Sequence, residues 1–283
     1  MTSQPDPTLI SSRRFGDATV TLISEGTFPW NPELLAPADE VQAAIPEADA
    51  NGEIVLGANI AHIRLGDASI LVDPGFDDPG ESEHEMEGHI RTAGLTAGLR
   101  EIGVTPEDIT HVLITHAHGD HFVGATTMRD GQRVARYPNA HYFIGRAEWE
   151  ANPEHEQPDS ELSTHLGTLL QLGQLTLVDG DKEVVPGVTL VAAPGESAGH
   201  SIVRVDAGGS PCLILGDLFH HTAEVEHTGW VSLGRDAVAA QASRERTLQD
   251  AVATDATMVY SHAPFPGWGH ITSDGTGYRW VVG

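Results

Sequence analysis

The chain has 283 residues, 15 basic and 41 acidic side chains, a net charge of −26 and 40% hydrophobic residues. That length buries one large core or two small ones, and the hydrophobic content is ordinary for a soluble globular protein. A surface so negative repels phosphate backbones, which argues against nucleic acid as partner or substrate, and Lys182 is the only lysine.

No run approaches the ~20 apolar residues that cross a bilayer, and the N-terminus lacks the apolar stretch of a secretory signal. With the single cysteine, Cys212, unable to form an internal disulfide, a cytoplasmic protein without membrane contact is expected.

In chain order, residues 1–17 read as a flexible arm and 18–283 as one domain. "VTLIS" (20–24) reads as a strand, and the Pro- and Ala-rich stretch after it as a loop with a short helix. "ANIAHIRLG" and "ASILVDPG" read as strands joined by a turn at Gly66-Asp67. Leu95, Leu99 and Ile102 have helical spacing and end at Gly103, a C-cap position. Thr105-Pro106-Glu107-Asp108 opens a short helix before the strand "HVLIT".

The second half continues with the strand "AHYFIG" and a helix starting at "RAEWEAN". Strands "LTLVDG", "EVVPGVTLVAAPG", "HSIVRVDAGG" and "PCLILGD" follow, then a helix over "RDAVAAQASRERTLQDAVAT" and "ATMVYSH" as the last strand. Alternating strands and helices, with several consecutive antiparallel strands, give an α/β protein of two packed sheets with helices outside.

The chemistry concentrates in "THAHGDHFVG" (115–124). An apolar strand leads into it, so its side chains occupy a strand-to-helix loop. His116 and His118 are two apart and share one side of an extended segment. Asp120 and His121 follow Gly119, where the chain is free to turn. The cluster thus splits into two ligand pairs, which suggests two metals, and one loop cannot complete two coordination shells. His200 in "SAGHS", Asp217 ending "CLILGD" and His262 ending "MVYSH" stand at strand termini, where loops can bring side chains to a shared site.

The order "THAHGDH", "GHS", "LGD", "SH" resembles the metallo-β-lactamase superfamily. "SEGTFPW", "LVDPG", "LGDLFHH" and "SHAPFPGWGHI" with "GTGYRW" resemble the branch of methyl parathion hydrolases, dihydrocoumarin hydrolases and lactonases, from about Val20 to the C-terminus. The resemblance implies a four-layer αββα sandwich with metals between the edges of its sheets. It also implies that His116, His118 and His200 hold one metal, that Asp120, His121 and His262 hold the other, and that Asp217 bridges them. A homodimer is implied as well. Relatives often carry a histidine where this chain has Glu196 in "PGESAGH"; that position is not a ligand in the family.

Imidazole and carboxylate donors suit zinc first, with iron, manganese or cobalt as alternatives. Two such cations ~3.5–4 Å apart can hold a bridging hydroxide and polarise the bond under attack, which makes a hydrolase. Asp120 is a candidate to pass the proton on, and Asp73 in "LVDPG" to orient a ligand histidine. His220, three residues past Asp217, stands where the resemblance puts a Tyr or His facing substrate; the alternative is a polar side chain in a wet cleft. His221 is given no role.

Phe28, Trp30, Phe122, Trp149, Phe219, Trp230, Phe265 and Trp268 lie near the ligand-bearing segments and are candidates to line a substrate pocket. With no lysine near those segments, a small neutral or apolar lactone, aryl ester or organophosphate triester fits best. β-Lactam hydrolysis is a rival, as are redox or sulfur chemistry on the same fold and plain metal binding. His118 at the position of the flavodiiron glutamate, and the absence of room for a flavodoxin domain, count against redox chemistry.

Overall fold

A computed structural model describes residues 9–81 and 86–283. Seventeen strands are formed among the described residues. The first six are β1 (Ile10–Phe15), β2 (Ala18–Trp30), β3 (Ile54–Leu65), β4 (Ala68–Val72), β5 (Ile90–Arg91) and β6 (His111–Ile114). Next come β7 (Thr126–Arg129), β8 (Gln132–Ala135), β9 (His141–Gly145), β10 (Leu175–Val178), β11 (Lys182–Val185) and β12 (Val188–Ala192). The last five are β13 (Ser201–Val205), β14 (Cys212–Ile214), β15 (Thr257–Val259), β16 (Gly269–Ser273) and β17 (Tyr278–Val282).

One sheet runs β1-β2-β3-β4-β6-β9-β10, with β5 beside β2; the other runs β11 to β17 in order; β7 and β8 form a separate hairpin. The antiparallel meander of the first sheet gives way to parallel pairs at β4-β6, β6-β9 and β9-β10. The second sheet is antiparallel except at β14-β15, where the helix Ala237–Thr254 makes the crossover that a parallel pair requires.

The sheets face each other. Val20, Ile63, Ile70 and Leu113 of the first pack against Leu190, Val203, Val205, Cys212 and Val259 of the second in one buried cluster. Each outer face carries helices. Leu95, Leu99, Leu162 and Leu166 cover the first sheet. The helix Ala237–Thr254 covers the second, burying Ala240, Ser243, Arg244, Thr247, Leu248 and Ala251, the one-sided spacing of an amphipathic helix. Asp236 caps it, its carboxylate accepting the N–H groups of Val238 and Ala239. The result is the αββα sandwich. No helix among the described residues is long and apolar enough to cross a membrane.

Several elements differ from the sequence expectation. The arm over 1–17 is not loose throughout: Ile10–Phe15 is the edge strand β1, fully registered on β2 despite its polar "SSRR", because an edge strand needs only one apolar face. Residues 1–8 lie outside the described residues. Strand β2 runs through Glu25 to Trp30, beyond the expected end at Ser24, with an irregularity in register between Ser24 and Gly26. "ATMVYSH" is not the last strand; β16 and β17 follow it. The β7-β8 hairpin turns at Asp130-Gly131, both at positive φ (53° and 77°), as a two-residue turn of this kind requires.

Buried Glu25, at the irregular point of β2, accepts the Phe76 N–H through Oε2 at 2.9 Å, while its Oε1 has no hydrogen-bond partner. Burial pushes its carboxyl up from 4.5 to about 8, against the pull of the Phe76 N–H and of Arg91. The folded protein therefore keeps a proton that the unfolded chain loses above its own lower value. This contribution to stability is complete below about 4.5 and disappears as pH rises through about 8. Glu25→Gln retains an acceptor and cannot ionise. Its melting temperature should gain on that of the parent between pH 5 and 8 by several degrees; parallel melting curves across that range would show that Glu25 does not titrate.

Candidate metal centre

The site forms where the C-terminal ends of parallel strands from both sheets meet, the usual place for ligands in α/β folds. Strands β4 and β6 end together, setting Asp73 beside Thr115. Strands β14 and β15 likewise end together, setting Asp217 beside His262. Antiparallel β13 starts next to the end of β14 and brings in His200. Main-chain bonds stitch the sheets at this edge: Ser201 N–H to Thr115 O at 2.9 Å, and Gly57 N–H to His262 O at 3.1 Å. Gly216 has a φ of 52°, and a Cβ there would come within 2.9 Å of His200 Nε2 and Thr115 Oγ1, so "LGD" needs its glycine.

Asp217, buried, sits at the centre. Its Oδ1 lies 3.1 Å from His121 Nε2 and 3.1 Å from His262 Nε2. Its Oδ2 lies 3.3 Å from His220 Nε2 and 3.5 Å from His116 Nε2. Asp120 Oδ2 lies 3.5 Å from both His121 Nε2 and His262 Nε2. Donor atoms sharing one tetrahedral ion are separated by about 3.3 Å.

The rings are aimed from behind. His121 Nδ1–H donates to Asp73 Oδ2 at 2.9 Å, and His262 Nδ1–H donates to Gly57 O at 2.8 Å. Thr115 donates its hydroxyl to Asp73 Oδ2 (2.9 Å) and so accepts from His116 Nδ1–H (3.0 Å). Asp73 adopts φ 58°, the left-handed region that a non-glycine rarely occupies, and Thr115 N–H donates to its Oδ1 at 2.7 Å. One carboxylate thus steers two histidines and turns each Nε2 toward Asp217.

The polar atoms at this centre test whether a cation fits. His121 Nε2 and Asp217 Oδ1 are buried with no hydrogen-bond partner. His116 Nε2 stands 2.7 Å from His118 Nδ1, a separation at which two lone pairs need a proton or a cation between them. The donor set suits divalent ions.

The electrostatics agree. Burial, with His121 and His118 beside it, drives His116 well below the ordinary histidine value; burial and Arg235 bring His118 to about 4, and burial takes His200 to about 3. These rings are neutral, the state that offers a lone pair. Burial disfavours charge on His121 too, but Asp217, Asp120 and Asp73 outweigh it and raise it well above the usual value. Asp217 is held far below the usual carboxylate range by His121, His262 and His116, despite its burial.

His200 behaves differently from the other predicted ligands. Its ring packs 5.1 Å from that of His116, but its Nε2 accepts the Asp217 N–H at 3.1 Å. The donor groups that converge within 4.8 Å are His116, His118, Glu196 and Asp217; Asp120, His121 and His262; and Asp217, His220 and His262. His220 is buried, stacked 4.7 Å from Trp30 and 5.6 Å from His262. Burial opposes its charge, but Asp217 raises it to about 9. His221 turns away to Glu47, 2.7 Å distant.

The aromatic candidates divide. Phe28 meets His262 edge-on at 5.3 Å and Trp30 stacks on His220, so both border the site. Phe28 and Trp230 share a cluster with Phe76, on which Trp30 packs. Phe122 and Phe219 are corrections to the pocket expectation: their rings are buried in the packed cores, where their area is worth most; the Trp268 ring is buried as well and borders the groove of Phe265. Trp149 packs on the core under the first sheet. Phe265 lines a separate groove of about 400 Å³ with Trp280 and Tyr260.

Three features were missed. Glu148 accepts the Ala117 N–H (2.8 Å), the Ser197 hydroxyl (2.5 Å) and the Gly199 N–H (2.6 Å), tying the loop of His116 and His118 to the loop of His200. Glu224 accepts the His220 and His221 N–H groups and pairs with Arg244 at 2.7 Å. Arg235 stands 2.7 Å from Glu196, so the His118 side does hold a cation despite the lack of lysine. Nothing in "RAEWE", "HHTAEVE" or "SLGRD" marks these residues, whose partners are all far along the chain or main-chain atoms.

With this fold and this edge, the chain belongs to the metallo-beta-lactamase superfamily, whose family model matches residues 54–262. It is similar to an N-acyl homoserine lactonase of Bacillus cereus, 28% identical over 54% of this chain and 60% of that protein. It is also similar to a probable metallo-hydrolase of Mycobacterium bovis, 26% identical over 61% of this chain and 60% of that one. The chain thus spans about 60% of the length of these curated relatives. Among solved structures, the dizinc quorum-quenching lactonase AidC superposes with a TM-score of 0.77 at 22% identity, covering 98% of both chains. The hydrolase AbOPH superposes at 0.80 with 21% identity, covering 99% of this chain and 98% of that one. At these identities the superpositions speak to the fold.

Proposed function

We propose that the protein is a dinuclear metal-dependent hydrolase that opens lactones, with aryl esters as further substrates and organophosphate triesters as side substrates. The observation that carries this is the ring of buried imidazole nitrogens around Asp217: His116, His121 and His262, each ring held from behind. The likeness to N-acyl homoserine lactonases supports a lactone as the substrate class.

His116, His118 and His200 would hold one ion, Asp120, His121 and His262 the other, with Asp217 shared; zinc is the first choice of metal. Two such ions would supply water activated at neutral pH and draw charge from the carbonyl under attack. The remaining work falls to the chain. Asp73 fixes the His121 ring directly and the His116 ring through Thr115. Asp120, partly buried at the mouth, would accept the proton given up by the attacking water and pass it to the leaving oxygen as the ring opens. His220 donates a hydrogen bond to the substrate carbonyl or leaving oxygen. Phe28, Trp30, Phe76 and Trp230 offer an apolar wall on the His262 side for an acyl chain, which excludes water from the acyl end.

His220→Ala should lower kcat by about 10- to 100-fold with metal content unchanged. An unaltered rate would reduce His220 to a polar side chain in the cleft, and loss of an ion would make it a ligand. The substrate class is tested by rates on dihydrocoumarin, acyl-homoserine lactones, aryl esters, paraoxon and nitrocefin. Lactones should lead by kcat/KM; if nitrocefin led by a wide margin, the protein would be a β-lactamase.

A further inference from the structure

We infer that Glu148 is the positioning residue of the His116–His118–His200 end: its carboxylate clamps together the loops that carry these ligands and makes up for the ring partner that His118 lacks. The inference rests on the dinuclear reading and adds to it the group that sets the affinity of one of its two ions.

The clamp follows from strand order. β6 and β9 are parallel neighbours with Ile114 opposite Ile144, so the loop after Ile114 and the helix Arg146–Glu150 leave the sheet side by side. Glu148, only 4% exposed, lies in the first turn of that helix. Its Oε2 accepts the N–H of Ala117, the residue between His116 and His118, at 2.8 Å. Its Oε1 accepts the Ser197 hydroxyl at 2.5 Å and the Gly199 N–H at 2.6 Å, on the loop that leads into His200. One carboxylate thus joins a loop of the first sheet to a loop of the second. Glycines allow the approach: a Cβ on Gly199 would come within 2.6 Å of the Glu148 nitrogen, and one on Gly145 would strike the Gly199 carbonyl.

The histidines show what depends on the clamp. A ligand ring is normally fixed by a hydrogen bond at the nitrogen that points away from the metal. His116 has Thr115 there, His121 has Asp73, His200 has the Ala193 carbonyl and His262 has the Gly57 carbonyl. His118 has no such partner among the described residues. Its Nδ1 faces His116 Nε2 at 2.7 Å, and its side chain is 32% exposed. Its ring is placed by its main chain, which is held on one side by the bond from Ala117 to Glu148 and on the other by His121 N–H to His118 O at 2.9 Å. A hydrogen bond from a peptide N–H to an ionised carboxylate is about twice as strong as one between neutral groups, so Glu148 is the stiffer of the two supports.

The two ends of the centre are therefore held by different groups. Glu148 registers the His118 and His200 loops before an ion arrives, while Asp73 and the Gly57 carbonyl aim His121 and His262. Losing Glu148 weakens one ion and spares the other.

The chain, freed of metal by a chelator, is titrated with Co(II) and read by visible absorption, with melting curves on the same samples. The parent should bind two ions. Glu148→Gln, which turns an amide toward the donors its carboxylate received, should keep one ion at parental affinity and bind the other about 10- to 100-fold more weakly, with a changed band. The retained ion reports that the variant is folded. In a His118→Ala background the same change should weaken binding by a smaller factor than in the parent, because the two residues act through one route. Ser197→Ala removes one of the three bonds and should weaken the same ion by less than Glu148→Gln does, which keeps the question open to measurement if the glutamine variant does not fold. Parental affinity for both ions in a folded Glu148→Gln chain, equal weakening of both ions, or an undiminished effect in the His118→Ala background would overturn the role of Glu148 and leave the dinuclear centre standing. A parent chain that takes up no cobalt would instead sink the dinuclear reading itself, and this inference with it.

Discussion

Asp217→Ala should abolish the proposed lactone hydrolysis, by roughly 10³-fold or more in kcat/KM, and remove at least one ion. Asp217 lies within 3.5 Å of all of His116, His121, His220 and His262. Removing it takes away the shared donor and the negative charge against which His121 is poised. Kinetics and elemental analysis on the same sample check it, and near-parental turnover with two ions retained would defeat the assignment of this carboxylate. Asp217→Asn, nearly the same shape, separates charge from packing: if charge matters, it should fall almost as far as alanine. The fold should survive both changes, because the Asp217 main chain is anchored independently through its N–H to His200.

Arg244→Ala should give the largest loss of stability, about 3–5 kcal/mol, through a route that leaves the ligands untouched. The guanidinium is buried beside Phe219, pairs with Glu224 at 2.7 Å, donates from Nε to Leu218 O at 2.7 Å and reaches Trp230 O. Burial favours a protonated Glu224, and Arg244 is the first of the influences that keep it ionised, ahead of His220 and the two N–H groups it accepts. Without the arginine a charge is stranded and three carbonyl partners, Leu218, Thr228 and Trp230, lose a donor. Melting temperature should fall by roughly 10 °C. Arg244→Met with Glu224→Gln should recover much of that loss, and the interaction energy from the double-mutant cycle measures the pair. If the single and double variants melt alike, the pair contributes little.

The metal-binding loop was readable because its residues are adjacent in the chain: His116, His118, Asp120 and His121 announce themselves by spacing, and Asp217 and His262 by ending apolar strands. Which groups converge was not readable. Glu196 and His200 belong to one short segment, and their partners lie far along the chain: Glu196 pairs with Arg235, and His200 Nε2 accepts the Asp217 N–H. The edge strand β1 hid behind its arginines, and β16-β17 behind the Gly- and Pro-rich "PFPGWG". The Asp130-Gly131 turn did carry a local signal for its hairpin. Aromatic residues were the least legible: Phe28 and Phe122 look alike in sequence, yet one borders His262 and the other lies in the core. Facing is a property of tertiary packing, and β2, extended past its irregular register, sets it for Phe28 and Trp30.

The donors around Asp217 are drawn from both halves of the sandwich: His116, His118, Asp120 and His121 follow β6, while Asp217 and His262 follow β14 and β15. Ions seated there would act as rivets through a seam. Part of their binding energy would be spent on holding the two slabs in register, so heat resistance should climb with the concentration of free cation. A chelator would then loosen the joint as well as stop the proposed hydrolysis, and the two effects should share one titration curve.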